Sequence, residues 1–244
     1  MISFPDLLFY STFLAGIGSI VVAKSHAPLL LKYGKTLQGV KIQRSDIFGR
    51  LQQLTVPKKW FRHFYVYSTF VSGFNLLHLR TFLAFLVFVH STRRLYETFY
   101  INKFGPASRI HISHYLVGIW FYSAVNFTTF TNEKHASSLP LRLLAIFIFA
   151  LASWDQYKNH SHLSELRKYN LPTYGLFKIV ASPHYLDEIF IYFALTLYAT
   201  SCKMLFCMLW VVVNLSISAL ETKTWYLQKF PQTTPRFAII PYVI

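Results

Sequence analysis

The chain has 244 residues, is 54% hydrophobic and 18% aromatic, and carries only 14% charged residues, against roughly 25% in soluble domains. Its mean hydropathy is +0.37, with more and longer apolar runs than one soluble core absorbs, which points to an integral membrane protein. The formal net charge of +15 raises nucleic acid as a partner, but the placement of the charges removes that reading below.

Seven apolar stretches predict membrane-crossing helices at about 7–23, 60–77, 80–92, 112–130, 139–154, 186–201 and 203–220. Several fall short of the ~20 residues of a perpendicular span. Asn75, His78 and Arg80 interrupt the second and third, so one long hairpin, and six spans, is the alternative. The first stretch is preceded by Asp6 and has neither a basic leader nor a small-residue cleavage site, so it reads as a retained anchor. Gly16-Ile-Gly18 within it is an incomplete dinucleotide fingerprint with no strand before it and reads as helix packing.

Residues 24–59 form the longest polar region and are expected to lie as a basic loop on the cytosolic membrane surface. Residues 158–183 are expected to form a second cytosolic loop, broken by Pro172, Gly175 and Pro183. Of the 24 Lys and Arg residues, 20 fall in 24–62, 93–111, 158–178 and 221–244, and only Arg80, Lys134, Arg142 and Lys203 fall on the other side. That asymmetry places the N-terminus in the lumen and the C-terminus in the cytosol. Topology accounts for the excess positive charge, and no nucleic acid partner is expected. Cys202 and Cys207, five residues apart in apolar sequence, suit packing better than a disulfide. The expected fold is an all-α integral membrane protein of about seven transmembrane helices, one domain over 1–244.

No GxxxxGK[ST] or GxSxG motif is present, and the pairs His160/His162 and His111/His114 are too few for a di-iron centre, so no metal is expected. The polar residues gather instead at the cytosolic ends of the spans, in 56–65, 90–97, 155–168 and 182–192. A charge at membrane depth costs roughly 2.5–3.5 kcal/mol, so Glu188 is a site candidate by default. On a helix, His184, Glu188 and Tyr192 share one face, Arg93 and Glu97 can pair, and His90 and Arg94 lie together. Arg forks grip phosphate and aromatic rings stack on bases, a combination suited to a dinucleotide.

The pieces VPKKWFRHFY (56–65), HSTRRLYETFY (90–100), DQYKNHSHLSELRK (155–168), LPTYGLF (171–177), SPHYLDEIFIY (182–192) and WYLQKFPQTTPRFAIIPY (225–242) resemble the steroid 5α-reductase family, and within it the polyprenol reductase branch that serves dolichol synthesis. The resemblance is collinear over roughly 55–244. It implies a seven-helix fold in the endoplasmic reticulum membrane, NADPH bound from the cytosolic side, and a polyprenyl lipid as substrate. It also implies cofactor-binding or site-forming roles for Arg94, His160, Arg167, Tyr169, His184, Glu188, Tyr226 and Arg236. Steroid-reducing members resemble Leu-Gln-Glu-Leu where this chain has Leu51-Gln-Gln-Leu54, and carry a tyrosine near Ser91 that is absent here. Both departures point away from a steroid ketone.

Hydride addition to a carbon–carbon double bond needs an electron-poor alkene, because the developing enolate must be stabilised by donors aimed at an oxygen. The expected acceptor is therefore the α,β-unsaturated polyprenal, with an isolated allylic alcohol lacking the sink. His63, Tyr65 and His90, with Glu188, are the candidates for the chemical step. Rival readings are a steroid ketone or enoyl thioester reductase of the same fold, a membrane methyltransferase, and a non-catalytic lipid carrier.

Overall fold

Each apolar stretch of the sequence lies on one α-helix, and the helices run alternately toward and away from the end that carries the polar clusters. They are α1 (Phe4–His26), α2 (Phe61–Leu79), α3 (Phe82–Tyr96), α4 (Ile112–Phe130), α5 (Leu139–Glu165), α6 (Pro183–Ala199) and α7 (Cys202–Lys229). The computed structural model describes residues 3–26, 31, 53–131, 137–166 and 170–243. Most of the predicted 24–59 loop, and the candidates Arg167 and Tyr169, lie outside the described residues.

Three helices, α1, α5 and α7, are both long and apolar enough to cross a bilayer. The others are shorter or more polar: α3 has 15 residues, α6 has 17, and α2 and α4 have 19 each. Helices α5 and α7 outrun the apolar stretches that predict them, ending at Glu165 and Lys229 rather than near 154 and 220. Backbone hydrogen bonding does not stop where hydropathy does, so 158–165 belongs to a helix and not to the predicted loop. The remainder of that segment holds a 3₁₀ turn at Gly175–Lys178.

Two tight hairpins close the far end. Arg80 (φ 51°) and Thr200 (φ 46°) take left-handed backbone, and each donates its amide to a carbonyl four residues back, at 3.0 and 2.9 Å. The following helices start on side-chain caps, Thr81 accepting from the Ala84 amide and Ser201 from the Met204 amide. At the same end, Lys203 at the start of α7 pairs with Asp6 of α1 at 2.6 Å and donates to Thr131 after α4 at 3.0 Å. At the opposite end a two-stranded antiparallel ladder, β1 (Thr55–Pro57) with β2 (Arg109–His111), ties the entrance of α2 to that of α4, the one departure from an all-helical chain among the described residues besides a single bridge. That bridge joins Val180 to Phe237 and pins the C-terminal segment beside the start of α6.

Side-chain burial is inverted relative to a soluble bundle. Phe70 (78% exposed) and Leu77 (77%) face outward on α2, while Ser68, Ser72, Asn75, Ser91 and Asn126 are buried between α2, α3 and α4. Ser68 and Ser91 hydroxyls are 2.8 Å apart, and Asn75 donates to the Asn126 carbonyl at 3.0 Å. Polar contacts between helices with apolar faces outside are what a bilayer solvent selects.

Candidate active site

A cavity of about 490 Å³ opens at the polar end, bounded by all the helices except α1. Its polar side consists of Tyr65 (α2), Arg94 (α3), Tyr122 (α4), Gln156 and His160 (α5), and His184 and Glu188 (α6). Its apolar side includes Phe61, Phe64, Val117, Phe121, Trp210, Val211 and Leu215. Ligand cavities of roughly 300–1,000 Å³ take a drug-sized molecule, so the space holds a reacting centre and not a whole dinucleotide plus a long lipid.

Behind the polar side stands a closed set of charges. After α3 the helix widens into a π-turn over Glu97–Ile101, a local feature often found at functional sites. Glu97, its first residue, is fully buried. Its two oxygens accept from Arg93 Nη1 and Arg94 Nη1, and one of them also lies 2.7 Å from His160 Nδ1. Burial acts to raise this carboxyl, but Arg94, His160 and Arg93 outweigh it and hold the group well below the usual carboxylate range. An ionised carboxylate only accepts, so His160 Nδ1 carries the proton toward Glu97, and Arg94 Nη1, 2.9 Å from the same nitrogen, contacts it without a hydrogen bond.

Gln156 links this set to Glu188. It accepts from Arg93 Nη2 at 2.5 Å and donates to Glu188 Oε2 at 2.5 Å and to the His184 carbonyl at 3.0 Å. His90 Nε2 lies 3.4 Å from Glu188 Oε1. Two guanidiniums thus face two carboxylates, matching desolvated charge one for one. Arg94 Nη2 donates to the Tyr65 oxygen at 2.9 Å, and its guanidinium carbon Cζ lies 5.0 Å from the Tyr65 ring centre. That leaves the Tyr65 hydroxyl proton unspent among the described residues, on a side chain lining the cavity.

The structure brings Tyr65, Arg94, His160, His184 and Glu188 to one cavity, with His90 behind Glu188. His63 is exposed and hydrogen-bonded to Tyr115 at 3.1 Å. It does not line the cavity. Neither do Tyr226, buried near Trp225 and Phe230, and Arg236, exposed with its carbonyl accepting from Lys223 at 2.6 Å. Sequence reasoning passed over Gln156 and Tyr122 altogether and read Glu97 as no more than a partner for Arg93. Lys58, Asn102 and Lys103 add further polar groups to the lining, and burial brings the Lys58 ammonium down to about 8.

The donor set fits an anionic, flat-ringed dinucleotide such as NADPH. Arg94 Nε is buried without a hydrogen-bond partner among the described residues, and rings gather in the same cavity: His184 lies 4.2 Å from Tyr185 and 5.6 Å from His160 between ring centres.

Comparison with known proteins agrees with this reading. Residues 110–244 match the family model described as 3-oxo-5-alpha-steroid 4-dehydrogenase. The chain is 45% identical over 238 residues to the polyprenal reductase of Saccharomyces cerevisiae, covering 96% of this chain and 93% of that protein. It is 30% identical over 252 residues to the polyprenal reductase of Drosophila melanogaster, covering 78% and 77%, and 28% identical over 275 residues to that of Caenorhabditis elegans, covering 89% and 87%. With a family model matching more than half of the chain and a relative this similar along almost its full length, the chain belongs to the steroid 5α-reductase family.

Proposed function

We propose that this oxidoreductase uses NADPH to reduce the α-isoprene double bond of a polyprenal, in the endoplasmic reticulum membrane, supplying dolichol for protein N-glycosylation. The observation that carries the reading is the cavity itself, in which a hydrogen-bonding wall of Tyr65, Arg94, Gln156, His160 and Glu188 faces a wall of Phe, Val, Leu and Trp. All seven helices cross the bilayer in this reading, with the N-terminus lumenal and the cavity opening to the cytosol, the side that carries most of the Lys and Arg residues.

NADPH, when bound, supplies the hydride that goes to the β-carbon of the conjugated aldehyde. Tyr65 is placed to polarise the aldehyde oxygen. Its own oxygen accepts from Arg94, so its proton points elsewhere, and the guanidinium strengthens the hydrogen bond that proton donates. As the β-carbon gains its hydrogen, the charge moves through the former double bond to the oxygen, where Tyr65 meets it. A proton delivered to the α-carbon from a side chain or water then completes the saturated aldehyde. Glu188, held by Gln156 and His90, fixes the shape of the wall and carries a charge that Arg94 balances. His160 and His184 flank the cofactor with Arg94. The parts of the cofactor that extend beyond the cavity fall to the residues the resemblance implies, Arg167, Tyr169, Tyr226 and Arg236.

The test is purified protein in lipid, offered polyprenal and polyprenol separately, each with NADPH and with NADH, followed by nicotinamide absorbance. Turnover of polyprenal with NADPH is expected. Direct turnover of polyprenol, or of a 3-oxo-steroid or enoyl thioester in preference to polyprenal, overturns the assignment.

A further inference from the structure

Two glycines are packed closely against aromatic residues of the cavity's apolar wall. A Cβ added at Gly16 of α1 would lie 2.8 Å from Cζ3 of Trp210, with two more indole carbons at 3.4 and 3.5 Å. Trp210 is 4% exposed and lines the cavity. It is also braced edge-to-face by Trp120 at 5.0 Å, whose indole N–H donates to Thr12 of α1 at 3.3 Å. Phe13 of α1 packs on Trp120 at 4.6 Å. So the indole is fixed on the sides away from the cavity, and the cavity is the direction left for it to yield. Gly118 on α4 lines the cavity itself, and its Cβ would lie 2.7 Å from Phe64, another cavity wall. Gly18, two residues along α1, has nothing within 4 Å of its Cβ position.

We propose that Gly16 and Gly118 set the breadth of the apolar half of the cavity, by letting Trp210 and Phe64 stand back, and so admit a methyl-branched isoprenoid in preference to a straight chain. Gly16 is a positioning residue, acting through Trp210 and touching neither substrate nor cofactor. A straight alkyl chain and an isoprenoid differ by a methyl on every fourth carbon, and that is the dimension the glycine seats control. One methylene more or less in a hydrophobic pocket discriminates substrates about tenfold or more, so a wall moved inward by part of a methyl group is enough to register.

The inference rests on the proposed reductase activity, and the experiment separates the two. The ratio of kcat/KM for polyprenal to that for a straight-chain 2-enal is measured in wild type, Gly16→Ala, Gly118→Ala, Gly18→Ala, Trp210→Phe and the pair Gly16→Ala/Trp210→Phe. Gly16→Ala and Gly118→Ala are each expected to lower the ratio about tenfold, with the KM for NADPH unchanged. Trp210→Phe, which retracts the wall, moves it the other way and restores it in the Gly16→Ala background. Gly18→Ala matches wild type. A ratio unmoved in both glycine variants, or moved equally by Gly18→Ala, overturns the inference. A wild-type protein that reduces neither aldehyde overturns the functional reading instead.

Discussion

Glu97→Gln is the most informative single change at this site. The side chain keeps its length and shape but loses the charge that three donors share. Its oxygens take Arg93 on one side and Arg94 with His160 on the other. In the amide, one of those positions becomes an NH₂ group facing a guanidinium, and an Arg loses its acceptor. His160 can escape by exchanging tautomers; the arginines cannot. Removing one member of a buried ion pair costs about 3–5 kcal/mol, because the remaining charge stays buried without compensation. For a chain of this size each kcal/mol moves Tm by about 2–4 °C, so a fall of about 6–20 °C is expected. Cys207 is fully buried and Cys202 exposed, so in a Cys202→Ser background a thiol-reactive dye reports unfolding through Cys207 alone. NADPH affinity, titrated separately, falls with it, because Arg94 loses the anchor that aims Nη2 at Tyr65. A Tm within about 2 °C of wild type, together with unchanged NADPH binding, refutes the view that Glu97 organises the polar wall.

Tyr65→Phe removes the donor assigned to the aldehyde oxygen, and loss of one such donor costs about 10²–10³ in kcat; unchanged kcat on polyprenal rejects that role. Lys58, which lines the cavity, is brought by burial to about 8 from 10.5. Its unfolded form therefore binds more protons between those values, and its contribution to stability rises with pH across that window, while its positive charge, and with it affinity for anionic NADPH, is lost as pH rises through about 8. Lys58→Gln is expected to flatten both profiles, and equal slopes in mutant and wild type refute this. A cysteine placed at exposed Lys178 is expected to react with a membrane-impermeant reagent from the cytosolic side, and native Cys202 only from the lumenal side. Labelling of both from one side rejects the proposed topology.

The helices were legible because apolar runs are local. Their polar ends were not. In α5, Asp155 to Glu165 continue the helix with side chains that hydropathy counts as loop, and these include Gln156 and His160, the residues that join α3 to α6. The periodicity of α6 did place His184, Glu188 and Tyr192 on one face, and the structure keeps that face inward at Glu188 and Tyr192. The same geometry separates His63 from Tyr65, which two helical steps set about 200° apart; one faces the cavity and the other Tyr115. Glu97 reads in the sequence only as a partner for the neighbouring Arg93, because its contact with His160 lies 63 residues away. Gln156 gave no signal at all, since a neutral amide is unremarkable until a guanidinium and a carboxylate are found on either side of it.

Where the chain departs from steroid-reducing relatives, the structure gives the departure a physical content. Near Ser91, where the resemblance implies a tyrosine in steroid-reducing members, the serine hydroxyl is spent on Ser68, 2.8 Å away between α2 and α3. It is buried and does not line the cavity. The phenol proposed to meet the substrate oxygen lies instead on α2, at Tyr65, whose hydroxyl is engaged among the described residues by Arg94. A donor fixed by a guanidinium that also answers to Glu97 is held in place, whereas much of the remaining wall is made of the rings and aliphatic chains of Phe61, Phe64, Phe121, Trp210 and Leu215, with Asn214 and Ser218 of α7 beside them. Such a site grips one oxygen and leaves most of the substrate to apolar contact, which suits a molecule whose single polar group is its terminal aldehyde.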